Sequence, residues 1–202
     1  MWVVKLGGSL FDSQYLVEWL QALADSEHES VVVPGGGPFA DQVRAAQSRW
    51  RFSDKVAHRM ALTAMRQMGE LMCGLHPDFV GCDSVAALQA AQSAKRIPVW
   101  YPEAMAGEAP DVPQDWSVTS DSLALWLAQQ LGAEGVLLVK SAPLSDPAKP
   151  LADLQHDGLI DAAADRFIAA LACPVLLVHR SDSARLDHVL DTLDRPAMRL
   201  VG

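Results

Sequence analysis

The strongest constraint on this chain is an alternation. Short apolar runs with no polar face are separated by stretches whose apolar residues recur at helical spacing. The apolar runs are Trp2–Leu6, Ser30–Val33, Ile97–Tyr101, Gly135–Val139 and Pro174–Val178, with a last short strand at Met198–Val201. Between them lie helical patterns: Leu16, Leu20 and Leu23; Phe39, Val43 and Ala46; a long run from Ser53–Asp54 to Leu75; an alanine-rich run from Asp83–Ser84 to Lys95; and further runs at 120–131, 161–171 and 182–193. Strands buried on both faces and alternating with helices predict an α/β protein with a mainly parallel sheet covered on both sides. Residues 102–116 and 141–158 read as proline-containing loops. With no repeat and no linker, residues 1–202 are expected to form a single domain.

Composition narrows the function classes. Half the 202 residues are hydrophobic, a fifth are charged, and the net charge is −9. A chain this acidic, without a run of Lys or Arg, disfavours nucleic acid and anionic membrane as partners. An anionic small molecule would need individually placed lysines and backbone amides. No apolar run approaches the roughly 18 residues of a membrane span, and no leader pattern precedes the first strand. Cys73, Cys82 and Cys173 are far apart. They fit a reduced, cytoplasmic setting and give no metal framework, so no metal-ligating residue is expected.

In an open α/β sheet, ligands bind beyond the carboxyl ends of the strands. Four polar features are expected there: Lys5-Leu6-Gly7-Gly8-Ser9, Gly35-Gly36-Gly37, Ser120-Asp121-Ser122 and Lys140. Glycines let backbone amides approach a phosphate closely, and a lysine beside them adds a cation. Two glycine turns, two lysines and a carboxylate at a helix start fit phosphoryl transfer, which needs positioning and charge rather than covalent chemistry. Alone, each feature has a plainer reading. Asp121 fits a first-turn carboxylate with Ser120 as cap, and Lys140 a solvated strand end. Asp41 and Arg44 fit a surface ion pair worth a few tenths of a kcal/mol. His58 fits a packed histidine, and His179-Arg180 a loop without a role. Gly35, Gly37 and Ala40 also match a dinucleotide fingerprint. That fingerprint expects a second strand ending in an acid about 20 residues on, where residues 53–75 are helical. No Gly-x-x-x-x-Gly-Lys-Ser/Thr is present.

These motifs, in this order, resemble the amino acid kinase superfamily: Lys5-x-Gly7-Gly8-Ser9, the Gly35-Gly36-Gly37 loop, and Ser120-Asp121-x-x-Ala124 followed by Leu131-Gly132-Ala133 and an apolar strand. The resemblance implies a three-layer αβα sandwich using ATP with Mg2+. It implies Lys5 as the cation on the transferring phosphate, and Gly7, Gly8, Ser9 and Ser120 at the ATP phosphates. Gly35, Gly36 and Gly37 would lie at the acceptor, Asp121 would orient the lysines, and Lys140 would be a second cation. The chain lacks the family's later Gly-Gly-Met-x-x-Lys, reading Asp157-Gly158-Leu159-Ile160-Asp161 instead. It carries Asp41 where isopentenyl phosphate kinases have a histidine. The Phe39-Ala40-Asp41-x-x-Arg44 run and the Ala57-His58-Arg59-Met60-Ala61 helix are similar to the small kinases of methanofuran biosynthesis. By that likeness the acceptor is aminomethyl-furanmethanol phosphate and the product a diphosphate, with Arg44, Asp41 and His58 as acceptor-binding candidates. An amino-acid carboxylate or another alkyl phosphate remains an alternative acceptor, and a nucleotide-binding or storage subunit without turnover an alternative of another class. A homo-oligomer is expected, the apolar helices of residues 53–95 being a candidate interface.

Overall fold

A computed structural model describes residues 1–144, 149–192 and 198–200. Within these residues seven strands form one sheet: β1 (Trp2–Leu6), β2 (Ser30–Pro34), β3 (Phe79–Cys82), β4 (Ile97–Trp100), β5 (Gly135–Lys140), β6 (Val175–His179) and β7 (Met198–Leu200). Their spatial order is β3-β4-β2-β1-β5-β6-β7. The first six run parallel, and β7 pairs antiparallel with β6. Among the described residues nine α-helices accompany them: α1 (Tyr15–Asp25), α2 (Gly37–Trp50), α3 (Asp54–Leu75), α4 (Val85–Ser93), α5 (Glu103–Ala106), α6 (Ser120–Leu131), α7 (Leu151–His156), α8 (Ala164–Ile168) and α9 (Leu186–Thr192). The expected α/β sandwich is the observed one.

Strand alternation sorts the core into two clusters. Trp2, Val4 and Leu6 of β1 join Leu137 and Val139 of β5 beneath α1 and α9. Val3 of β1 joins Val136 and Leu138 of β5 beneath α6. Helix α3 serves both, giving Leu62 and Met65 to one cluster and Met68 and Met72 to the other. The same alternation fixes the site. Lys5 follows the parity of Val3, and Lys140 that of Val136 and Leu138, so both lysines emerge on the α6 face. β1 pairs with β2 on one side and β5 on the other. The chain reverses its direction of travel across the sheet there, and the crevice this creates is where open α/β sheets bind ligands.

Some elements differ from expectation. Strand β3 is an edge strand of four residues, too short for a periodicity to show, and its Gly81 is required by packing: a Cβ there would lie 2.1 Å from the Tyr101 ring. A single helical turn, α5, interrupts the 102–116 loop, and α7 interrupts 141–158, following Pro150 and burying Leu154. The helix expected from Asp161 to Leu171 is only Ala164–Ile168, because the Asp161 carboxylate caps another helix instead. A 3-10 segment, Arg180–Arg185, precedes α9. The expected ends at Leu193 and Val201 lie outside the described residues. Among the described residues no helix is long and apolar enough to cross a membrane.

Candidate active site

Lys5, Asp121 and Lys140 meet at the carboxyl edge of β1 and β5. Lys5 Nζ lies 2.9 Å from Asp121 Oδ1, and Lys140 Nζ donates to Asp121 Oδ2 at 2.5 Å. All three are buried, with side-chain exposures of 7%, 5% and 10%. Burial by itself pushes the Asp121 carboxyl up, but the charges of Lys5 and Lys140 outweigh it and bring it down to about 2. Burial lowers Lys140 to about 8, reinforced by the like charge of Lys5 and opposed by Asp121. Asp121 is therefore a permanent anion that spaces two cations. Each ammonium has three donors, so both can face a ligand while holding Asp121.

The two glycine turns pack backbone against backbone. A Cβ on Gly8 would lie 2.2 Å from Gly37 N, and one on Gly35 would lie 2.3 Å from Gly8 N. Gly37 has φ +52, and a Cβ there would also meet Met68 Sδ at 2.9 Å. Any side chain would force the turns apart. Gly8 opens a 3-10 helix (Gly8–Leu10), and Gly36 is the N-cap of α2, so two helix starts with unpaired amides face one crevice. Gly8, Ser9, Gly36 and Gly37 line it. Gly7 and Gly35, expected at the ATP and acceptor phosphates, are not among the lining residues; tight packing against Gly8 accounts for Gly35. Ser9 Oγ also reaches Ser141 Oγ at 2.7 Å, tying the first turn to the end of β5.

Helix α6 delivers Asp121. Its N-cap is Thr119, not Ser120, and Thr119 makes no side-chain cap bond. The cap comes from Asp161, whose carboxylate accepts from Thr119 N at 2.8 Å, Thr119 Oγ1 at 2.5 Å and Ser122 N at 2.9 Å. Ser120 is buried and lines the crevice.

The crevice has a volume of about 610 Å³, ample for a nucleotide tail and a small acceptor. Its second wall comes from α2, α3 and the loop before α6. There Arg44 Nη1 pairs with Asp41 at 3.0 Å, and its guanidinium stacks 4.3 Å above the Trp116 ring. Trp116 Nε1 donates to Gln47 Oε1 at 2.7 Å, which fixes the indole. His58 is buried and lines the wall, and its Nε2 has no hydrogen-bond partner among the described residues. Burial lowers the His58 pKa, against the opposing charge of Asp115. Trp116 and Asp161 were not singled out by sequence reading. Trp116 sits in an irregular loop without pattern, and Asp161 resembles an ordinary helix-start acid. Among the described residues no group of three or more His, Cys, Asp or Glu is placed to hold a metal ion.

A sequence model of the amino acid kinase family matches residues 1–161. A curated relative, the 5-(aminomethyl)furan-3-yl methyl phosphate kinase of Methanocaldococcus jannaschii, is 28% identical over 140 residues, covering 68% of this chain and 64% of the relative. The matched stretch thus spans less than two thirds of that relative's length. Two solved structures share the fold. Uridylate kinase from Archaeoglobus fulgidus superimposes with a TM-score of 0.71 at 17% identity, over 93% of this chain and 95% of the other. UMP kinase from Ureaplasma parvum superimposes with 0.71 at 12% identity, over 100% and 98%.

Proposed function

As the chain belongs to the amino acid kinase family, we propose that it is an ATP-dependent phosphotransferase whose acceptor is a phosphate monoester of a small ring compound, and whose product is a diphosphate. The observation that carries this reading is the buried Lys5–Asp121–Lys140 row on the floor of the crevice.

The row disfavours an alcohol acceptor. A carboxyl held at about 2 is a poor proton acceptor at neutral pH. An alcohol acceptor needs a base, whereas a phosphate or carboxylate oxygen attacks as it stands. The acceptor oxygen forms the new bond to the γ-phosphorus, and the bond to the β–γ bridging oxygen breaks. ADP leaves with that electron pair. Lys5 and Lys140 neutralise charge spreading over the transferring oxygens, where fixed donors are most effective. Gly8, Ser9 and Ser120 hold the donor phosphates, with Gly36 and Gly37 at the junction of donor and acceptor. The bare turns and paired ammoniums suit a triphosphate; Mg2+ would arrive bound to the nucleotide and add charge neutralisation.

Arg44 is the acceptor-phosphate candidate, since a guanidinium matches phosphate geometry. The Trp116 indole supplies a flat wall for a ring, and the free His58 Nε2 supplies a polar contact. This supports a substrate like that of the methanocaldococcal relative, and with it a place in methanofuran-type, one-carbon cofactor synthesis in the cytoplasm. Lys140 shares the Asp121 carboxylate with Lys5, so a second cation is at hand although the later lysine motif is missing, which favours turnover over storage. The test is ADP release with MgATP across a panel of phosphomonoesters, amino acids and alcohols. Turnover with a ring-bearing phosphomonoester is expected. Exclusive turnover with an alcohol or amino acid would reject the acceptor class, and nucleotide binding without any turnover would reject the enzyme.

A further inference from the structure

Among the described residues the Asp161 carboxylate bonds to Thr119 and Ser122 rather than to the three residues of the charged row, yet it is built into their support. Its carboxylate accepts three hydrogen bonds, two from Thr119 and one from the Ser122 amide. These contacts lie on either side of Asp121, so the backbone carrying Asp121 is gripped just before and just after it. The N-cap residue of α6, Thr119, supplies no side-chain cap itself. The grip comes from a segment distant in sequence that itself lines the crevice through Gly158 and Leu159.

The same carboxylate also belongs to the local charge balance. Burial raises its pKa, and the nearby Asp121 charge raises it further, against the Thr119 and Ser122 hydrogen bonds. Reciprocally, its charge favours the Lys140 ammonium. Among the described residues, titratable groups face Lys140 from β1 (Lys5), α6 (Asp121), the segment after α7 (Asp161) and β6 (His179). His179 stands opposite Lys140 in register and turns its Nε2 to the Ser141 carbonyl at 3.3 Å.

We infer that Asp161 is a positioning residue for phosphoryl transfer: by capping α6 from outside it holds Asp121 midway between the two ammonium groups, and its charge supports the Lys140 cation. The role rests on the phosphoryl-transfer reading, but part of its test needs no turnover.

The test compares Asp161→Asn, Asp161→Glu and Thr119→Val with the parent protein. Two readouts are used: steady-state kinetics, and NMR titration of the lysine side chains, with Lys140 assigned by its absence in Lys140→Arg. Asp161→Asn keeps an acceptor oxygen but loses the charge. Its kcat is expected to fall by up to about 100-fold, as for a small misplacement of reacting groups, with KM for MgATP changed far less. The Lys140 midpoint moves to lower pH, because an attraction for the charged form is lost. Thr119→Val removes one tie and keeps the charge, so kcat falls by less and the midpoint stays. Asp161→Glu restores the midpoint but not the full kcat. An Asp161→Asn protein with parental kcat and midpoint overturns the inference. Should that variant fail to fold, parental kcat in both Thr119→Val and Asp161→Glu overturns it equally. If the parent itself transfers no phosphoryl group, the function reading fails, and an unmoved Lys140 midpoint in Asp161→Asn then separately refutes the charge role.

Discussion

The two walls of the crevice are made differently. The strand-edge wall is backbone and strand-borne charge: Lys5 and Lys140 at the ends of β1 and β5, Asp121 opposite, and glycine turns in direct backbone contact. The helical wall is built from side chains, Arg44 from α2, His58 from α3 and Trp116 from a loop, with Arg44 stacked on Trp116 and paired with Asp41, and Trp116 bonded to Gln47. The first wall leaves no room for a methyl group at Gly8 or Gly35. The second can change its residues without moving a strand. A family that keeps one donor and varies its acceptors would be expected to divide the work in this way.

The comparison breaks most directly at the row itself. Lys5→Ala or Lys140→Met should lower kcat by about 100- to 1,000-fold, the usual effect of losing a fixed donor to a developing charge. The fold should be retained, since Asp121 keeps one partner in each variant. Asp121→Ala differs: it strands two buried ammoniums and should cost about 3–5 kcal/mol of stability as well. Equal melting temperatures for Lys5→Ala and Asp121→Ala would contradict the row as drawn.

Gly8→Ala tests the backbone contact. The new Cβ would meet Gly37 N at 2.2 Å, so overpacking of about 1–3 kcal/mol is expected, with weakened MgATP binding by calorimetry. Trp116→Ala tests the other wall. Acceptor KM should rise by about 5-fold, in keeping with about 1 kcal/mol for an aromatic contact, while MgATP affinity stays. A matching loss of MgATP affinity would erase the distinction between the walls.

pH separates chemistry from stability. With Lys140 lowered to about 8 in the folded state from 10.5, kcat/KM should fall as pH rises above 8. Across 8 to 10.5 the unfolded chain holds the extra proton, so this group makes stability rise with pH while activity declines. Asp121 acts at the other end: its contribution is present above 3.8 and is lost as pH falls through about 2. Denaturant titrations beside rate profiles would show the opposed trends. The smallest effect belongs to Gln47→Ala, which frees the indole and should raise acceptor KM by only about two- to threefold, for the loss of one hydrogen bond near 0.5 kcal/mol.

Much of the strand-edge wall was legible in the residues. Apolar runs located β1, β2, β4, β5 and β6, and period-two alternation placed Lys5 away from Trp2, Val4 and Leu6. The motifs then named Gly8, Gly37, Asp121 and Lys140, all within the observed crevice or its packing. The helical wall was legible only in part. Arg44 and His58 stood out as charged or titratable residues on helices. Trp116 did not, because nothing in a loop's sequence says which way an indole turns. Asp161 was misread as the start of its own helix, since a capping carboxylate looks the same whether its amides are local or distant.

From its order of residues alone this chain determined the alternating layers, the two glycine turns and the strand face from which Lys5 emerges. These depend on local periodicity and on glycine stereochemistry, which act over a few residues. Tertiary structure decided that Lys5 and Lys140, 135 positions apart in number, share one carboxylate, that Asp161 caps α6, and that Trp116 stands beneath Arg44. Those contacts depend on which strands lie side by side and which segment crosses which helix end, a property of the packed whole that no local pattern encodes.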